Sequence, residues 1–570
     1  MFKLPTLRGV LRKKLEKQEV KEDFQDGMYR IFRAQKKVPL VVSSEQGNIH
    51  EINVKYPLLE PFAYANIKWD PDKKELVYSL SEPTLTENDK KFVEKLTKDL
   101  MEVIEVDLSG IKNRDDAVKY LEEQVRKVIK ITNVKIPREK YPKIFYFIYR
   151  NFIGLNQIEP LMFDTRIEDI GCDGLNVPLY VVHQAFGSIK TSIKFTDLDQ
   201  LRNFVIKLAE RCGRYVSYAE PMLDGTLPDG SRIQASLAGD VTTHGPTFSI
   251  RKFKEDPFSP TDLVRLGTAS TDLMSYLWLG IEHGMSLLIC GGVASGKTSL
   301  LNSLSMFIRP EQKIVSIEDT RELNLPHENW IPSVSRTGFG LPGPTGEKYG
   351  EVTLFDLLRE SFRQNPDYVI VGEVRGKEAY VMFQGMASGH PSMGTMHAES
   401  VDTVIKRLIT PPIELSPSLV EALDIVIVVV HAREKGKSAR RIKEIIEIES
   451  VDKESGHPRT SKVFGWDPTS DTYEYSEDSW YLNKLGMRLG ISVDGLKKDV
   501  EQRKKVLDWM LRKKVSSFHD VSNMINLYYR DRETIMEWVN ENLEPYSTKS
   551  KDEVEKLRFT PSGLRVLGEK

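Results

Sequence analysis

The chain has 570 residues, of which 40% are hydrophobic and 29% charged, and its 81 basic and 83 acidic side chains leave a formal charge of −2. That length predicts two to four domains with real cores, and the balance of charge excludes a global pull toward nucleic acid, so only a local basic patch could argue for one. Three separated cysteines, Cys172, Cys212 and Cys290, form neither a disulfide framework nor a CxxC zinc pair, no run approaches the roughly 18 apolar residues of a membrane span, and the basic start lacks the apolar core of a secretory signal.

Residues 1–35 read as a basic arm. Leu4, Leu7, Leu11 and Leu15 share a helical face, with Lys3, Arg8, Arg12, Lys13, Lys14 and Lys17 around it. This composition suits either an anionic membrane surface or a plain packed or frayed arm. Residues 36–155 predict a mixed domain, with short strands such as 76–80 followed by helices in which Phe92, Leu96, Leu100 and Ile104 recur every four residues. No chemistry is visible there. Residues 156–252 predict a small α/β domain: a strand over 179–183, a helix over 198–211, a turn at Asp229-Gly230, and strands over 233–237 and 248–251. The charged, proline-containing stretch 253–260 reads as a hinge linker.

From 261 to 465 the pattern alternates. Apolar strands at 287–290, 313–317, 368–371, 392–396, 425–430 and 442–448 are separated by helices, which predicts a mostly parallel sheet covered on both faces. Residues 466–570 read as a helical C-terminal segment, with Leu496, Val500, Leu507 and Leu511 on one face. Docking of a partner is the role expected of these helices, with truncation after Glu477 as its test.

One motif stands out. Gly291, Gly292, Val293, Ala294, Ser295, Gly296, Lys297, Thr298 and Ser299 follow an apolar strand and open a helix, satisfying the phosphate-loop pattern of glycine, four residues, then Gly-Lys-Ser/Thr. Such a loop cradles nucleotide phosphates with backbone N–H groups, gives them a lysine charge and offers a hydroxyl to Mg²⁺. Hydrolysis also needs a Mg²⁺-associated acid and something to position water. The apolar run 368–371 leads to Glu373, the run 314–317 leads to Glu318 and Glu322, and His397 follows 392–396. Acids and histidines at strand ends are usually unremarkable singly, but after one phosphate loop they point to a single crevice.

These motifs resemble the secretion superfamily ATPases of type II and type IV secretion, type IV pili and the archaellum. The resemblance runs over residues 158–449 through the phosphate loop, an Asp box (IEDTREL, Ile317 to Leu323), a GEVR Walker B (Gly372 to Arg375) and a His box (GHPSMGTMHAES, Gly389 to Ser400). Upstream, IEDIGCDG, LPDGSRIQ and FSIRKF resemble the family's N-terminal domain and its arginine-bearing strands. The resemblance implies an α/β fold with a RecA-like motor domain and a preceding small, PAS-like α/β domain, ATP and Mg²⁺ as cofactors, and a homohexamer. It implies that Thr298 and Glu373 serve Mg²⁺, that Glu322, or less readily Glu318, activates water, that His397 senses the γ-phosphate, and that Arg232 and Arg251 act as arginine fingers. It further implies an integral-membrane platform partner, pilin-like or secreted cargo served indirectly, and a cytoplasmic site peripheral to the membrane. The chain lacks the four-cysteine zinc module of many bacterial members, and RELNLPHENWIPSVSR resembles the archaeal ones. A nucleic-acid translocase is one rival and a non-catalytic ATP-binding scaffold another. The near-neutral charge argues against nucleic acid as a partner.

Overall fold

The computed structural model describes residues 49–545 apart from 104–113, 133–135, 138, 238, 240, 255, 337, 339–347, 435–436, 453–456 and 477. The basic arm and the charged end beyond 545 lie outside the described residues. The chain divides into two compact units between Phe253 and Lys254, within the expected linker.

In the first unit, strands β1 (Asn53–Leu59), β2 (Ala63–Asp70) and β3 (Glu75–Ser81) form an antiparallel meander. Helices α1 (Glu87–Val103), α2 (Arg114–Thr132), α3 (Tyr141–Phe152) and α4 (Glu159–Phe163) follow. Next come β4 (Ile167–Cys172), β5 (Pro178–His183), β6 (Gly187–Lys194), α5 (Leu198–Arg211), β7 (Met222–Thr226), β8 (Arg232–Ser236) and β9 (Thr247–Arg251). Helix α5 starts where Asp197 accepts the Gln200 N–H at 2.9 Å, and it buries Leu201, Phe204, Val205 and Leu208 at helical spacing.

The two pieces read separately from sequence, 36–155 and 156–252, contribute to one sheet of order β1-β2-β3-β6-β5-β4-β9-β8-β7. The seam is the parallel pair β3–β6, with Val77 opposite Lys190 and Tyr78 opposite Thr191. A three-stranded meander cannot bury a face alone, and here it shares one core with the second piece. Asp164 pins the join: its Oδ2 accepts the hydroxyls of Tyr56 (2.6 Å) and Tyr78 (2.8 Å).

The second unit opens with α6 (Pro260–Arg265) and α7 (Thr271–Glu282), and then alternates: β10 (Leu287–Gly291), α8 (Lys297–Ser305), β11 (Ile314–Glu318), β12 (Trp330–Val334), α9 (Leu354–Ser361), β13 (Tyr368–Val371), α10 (Glu378–Ala387), β14 (Ser392–Met396), α11 (Val401–Ile409), α12 (Pro417–Val420), β15 (Ile425–Glu434), β16 (Lys437–Val451), β17 (Pro458–Asp467) and β18 (Thr472–Tyr475). The sheet runs β12-β11-β13-β14-β10-β15-β16-β17-β18. The first six strands of that order are parallel and the last three are added antiparallel. Apolar cores cover both faces, which is why the central strands read as unbroken apolar runs.

Helices α13 (Trp480–Leu489), α14 (Val493–Arg512), α15 (Phe518–Arg530) and α16 (Arg532–Asn540) complete the unit, and they belong to its own core. Trp278 of α7 stacks on Phe307 at 5.2 Å and meets the Tyr528 ring at 4.9 Å. Arg503 of α14, 2% exposed, holds Glu282 of α7 at 2.5 Å. Buried Glu447 of β16 accepts the Tyr276 hydroxyl (2.6 Å), the Ser479 hydroxyl (2.5 Å) and the Trp480 N–H (2.7 Å).

Truncation after Glu477 therefore removes core as well as surface. It deletes buried Tyr481, Leu482, Leu507, Trp509 and Ile525, and it takes the Arg503 partner from Glu282 and the Ser479 and Trp480 donors from Glu447, each loss being among the large destabilising mechanisms. The truncated chain is expected to be insoluble or to lack a cooperative melt by circular dichroism; a soluble protein melting with the full chain would contradict this packing.

Candidate active site

The sequence builds the phosphate loop from the strand upward. Gly291 closes β10, where an added Cβ would lie 2.3 Å from the Val429 carbonyl oxygen and 2.7 Å from Ser295 Oγ, so no larger residue fits. Gly296 caps α8 with φ at 93°, in the left-handed region that favours glycine. Ala294, without that freedom, also has positive φ, 57°, a strain of about 1–3 kcal/mol of the kind that collects at functional loops. Gly292, Val293 and Ala294 are exposed, and Ser295 is buried, donating its hydroxyl to the Gly292 carbonyl at 2.9 Å.

Lys297 is the first residue of α8 and is 8% exposed. Its ammonium donates to the carbonyls of Gly291 (3.1 Å) and Gly292 (2.8 Å) and lies 3.3 Å from His397 Nδ1. Burial lowers its pKa, and the charges of Glu373 and Glu322 oppose that. Thr298, next in the helix, is half-buried, and Ser299 is exposed.

His397 follows β14 and bridges two charges. Its Nε2 lies 3.2 Å from Glu373 Oε1, so the arrangement assigns Nδ1 as acceptor from Lys297 and Nε2–H as donor to Glu373. The Arg375 guanidinium grips the other oxygen of Glu373 and lies 3.7 Å from Asp319 Oδ2. Burial alone would raise the Glu373 pKa, but the Arg375 hydrogen bond and the charges of Arg375 and Lys297 outweigh it and hold the carboxylate below its usual range. The turn carrying Glu373 is fixed from behind. Glu378 accepts the Arg375 N–H at 2.5 Å and the Gly376 N–H at 2.6 Å, and the Thr395 hydroxyl donates to the Gly372 carbonyl at 2.6 Å.

The two acids expected to serve water differ sharply. Glu318 is 2% exposed, and its Oε1 accepts the N–H groups of Glu322 (2.9 Å) and Leu323 (3.0 Å) while Oε2 is buried without a hydrogen-bond partner. Burial pushes its pKa up to about 7. An added Cβ at Gly372 would sit 3.0 Å from Glu318 Cγ, so glycine lets the end of β13 pass over this side chain. Glu318, the less readily expected of the two acids, thus anchors the acid loop through Oε1 and leaves Oε2 without a hydrogen-bond partner. Glu322 is exposed, and its charge is felt at Lys297.

Arg232 and Arg251 lie in the first unit and face each other across β8 and β9. Arg232 pairs with Asp224 at 3.3 Å and Arg251 with Asp169 at 3.2 Å. These are surface pairs that cost little to break. Arg375 and Asp319 are members of the charge chain that motif reading passed over. The signal was present, since both stand beside a motif acid, but sequence does not tell which neighbour turns inward.

The residues present fit ATP with Mg²⁺. Gly291 and Gly296 leave room that side chains would fill, and Thr298 and Glu373 offer hard oxygen donors. No group of three or more His, Cys, Asp or Glu side chains arranged for a metal occurs among the described residues; Mg²⁺ typically takes one or two carboxylates and completes its shell with phosphates and water.

Glu318 generates a pH test. Between its ordinary value of 4.5 and about 7, the folded chain keeps a proton that the unfolded chain has lost. Stability therefore falls as pH rises through that window, by about 3 kcal/mol at most, and then levels off. In urea unfolding of the full chain, E318Q should lose less stability than the natural protein between roughly pH 5 and pH 8; parallel profiles would contradict the buried neutral carboxyl.

Comparison with known proteins agrees with this geometry. A family model described as "Type II/IV secretion system protein" matches residues 180–462. The chain is 35% identical over 514 residues to the uncharacterized protein MJ0900 of Methanocaldococcus jannaschii, covering 86% of this chain and 91% of that one. It is 32% identical over 276 residues to the type IV secretion system protein PtlH of Bordetella pertussis, covering 43% of this chain and 79% of that one. The crystal structure of the VirB11 ATPase from the Brucella suis type IV secretion system, in complex with sulphate, is 24% identical, with 50% of this chain and 92% of that one covered and a TM-score of 0.26. With the phosphate loop, the Asp, Walker-B and His boxes, the family model and the PtlH relative in hand, the chain belongs to the type II/IV secretion ATPase family.

Proposed function

We propose that the chain is an ATP-hydrolysing motor subunit that works as a ring of six at the cytoplasmic face of a membrane. There it drives a membrane-embedded platform for assembly of a type IV pilus-like filament, for archaellum rotation or for protein secretion. The observation that carries this reading is the unbroken chain Lys297–His397–Glu373, which joins the phosphate loop to the Walker-B acid through one histidine.

Each residue then has a task. The loop N–H groups and Lys297 bind and orient the phosphates. Bound Mg²⁺ would neutralise charge on the β- and γ-phosphates, and Thr298 and Glu373 would hold it. Glu322 orients the attacking water. His397 touches both Lys297 and Glu373, so displacement of Lys297 onto a γ-phosphate is felt at the acid through the same ring. Arg232 and Arg251 serve as fingers, a role that comes from the family resemblance and that requires their surface ion pairs to give way. A fixed guanidinium at the transferring phosphoryl group contributes on the order of 10³-fold in rate. The ring, the platform and the cargo come to this reading from the family. Among the described residues no helix is long and apolar enough to cross a membrane, so a separate membrane protein would carry the work across.

Mg²⁺-ATP turnover by the full chain tests the proposal, with mass in solution measured in the presence and absence of nucleotide. Turnover that E373Q reduces by about 10²-fold or more, together with a nucleotide-favoured six-subunit ring, is the expected result. A monomer without turnover, at high protein concentration and with lipid present, would leave only an ATP-binding scaffold.

A further inference from the structure

Glu373 has both oxygens engaged. Oε1 lies 3.2 Å from His397 Nε2, and Oε2 accepts a hydrogen bond from one terminal nitrogen of Arg375. The site reading asks this carboxylate to serve Mg²⁺. The imidazole, with Nδ1 as acceptor, occupies one lone pair and brings no charge. The guanidinium differs: a unit charge beside an arriving dication repels it, and it covers an oxygen that octahedral Mg²⁺ would need. Arg375 and Mg²⁺ therefore compete for one carboxylate.

Arg375 can leave without disturbing the backbone. Its N–H and that of Gly376 are fixed to Glu378 Oε1 at 2.5 and 2.6 Å, whereas its side chain is 62% exposed. A second acid stands within reach. The other terminal nitrogen lies 3.7 Å from Asp319 Oδ2, an approach too long for a hydrogen bond. The Asp319 carboxylate is itself held in place, since Oδ1 accepts the Ser335 hydroxyl at 3.1 Å. The guanidinium thus hangs between two acids, bonded to one and a short swing from the other.

The position of Asp319 gives that swing a consequence. It follows Glu318 at the end of β11 and opens the loop in which Glu318 Oε1 accepts the N–H groups of Glu322 and Leu323. A guanidinium seated on Asp319 ties the turn after β13 to the loop that carries Glu322, the residue assigned to water.

We propose that Arg375 is a positioning residue with two stations: it holds Glu373 until that carboxylate turns to Mg²⁺, and then passes to Asp319. The proposal rests on the ATP-site reading above. It adds the residue that couples Mg²⁺ entry at the Walker-B acid to the placing of Glu322. Arg375 acts through these two acids and needs no contact with the nucleotide.

Calorimetric titration of the full chain with a non-hydrolysable ATP analogue, in Mg²⁺ and in EDTA, tests this on R375A, R375K, D319N, K297A and the double variant R375A/D319N. The readout is the factor by which Mg²⁺ tightens binding. R375A removes the competitor and should raise that factor by roughly fivefold, the upper value of an exposed charge pair. R375K keeps the charge but loses the planar fork; it should raise the factor less, and it carries the comparison should R375A fail to fold. D319N takes away the second station and should lower the factor. In the R375A background D319N should change nothing, because residues that act through each other lose their effect only once. A Mg²⁺ factor in R375A equal to that of the natural protein overturns the proposal. So does D319N lowering the factor equally with and without Arg375, since Asp319 would then act by its own charge. Analogue binding indifferent to K297A overturns the ATP-site reading itself.

Discussion

Strand β14 lies between the phosphate-loop strand β10 and the acid strand β13, and that spacing governs what can meet at the edge of the sheet. Neighbouring strands are about 4.8 Å apart, so β10 and β13 lie roughly 10 Å apart with β14 between them. The gap needs a side chain with a polar atom at each end. His397 supplies it, with Nδ1 3.3 Å from Lys297 and Nε2 3.2 Å from Glu373. No other side chain combines an acceptor and a donor at opposite sides of one rigid ring. The strand order thus turns three sequence-distant motifs into one electrostatic unit, and the Thr395–Gly372 hydrogen bond keeps β14 and the acid turn in step.

Around this unit the same fold pushes carboxyls in opposite directions. Glu373 is held ionised by Arg375, His397 and Lys297, although burial works against it. Glu318, one strand over, lacks such partners and is raised by burial to about 7. One acid stays charged where cations gather; the other fixes a loop through one of its oxygens. Divergent environments for neighbouring acids are how one site separates its roles. Buried charge also ties the second unit together. Arg503 joins α14 to α7 through Glu282, and Glu447 fastens the start of α13 to β16, so the terminal helices and the catalytic sheet share one core.

Much of this was legible in the sequence. Helix 198–211 announces itself by amphipathic spacing, and strand 287–290 by a short apolar run that leads straight into the glycines of the phosphate loop. The phosphate loop was legible because its glycines answer to close approach and positive φ at Gly291 and Gly296. Other features were not. Strand β12 is five residues long, contains Pro332 and lies at the sheet edge, where neither apolar run nor strict alternation is required. The seam between β3 and β6 pairs Val77 with Lys190, a contact whose partners are too far apart in sequence for any local pattern to betray it. The burial of Glu318 beside exposed Glu322 was hidden for a different reason: a motif names the acids but not the turn that points one inward. The terminal helices looked like an appendage because a buried face and a docking face have the same periodicity.

The central claim is that Lys297, His397 and Glu373 act as one unit, and the direct measurement is a double-mutant comparison of ATP turnover in H397A, E373Q and the combined variant, with Kd for nucleotide measured alongside. Residues that act through each other lose their effect only once. The account predicts that the double variant turns over no more slowly than E373Q alone. Losses that multiply, each substitution costing its full factor in the presence of the other, would show that the histidine and the acid work independently and would contradict the account.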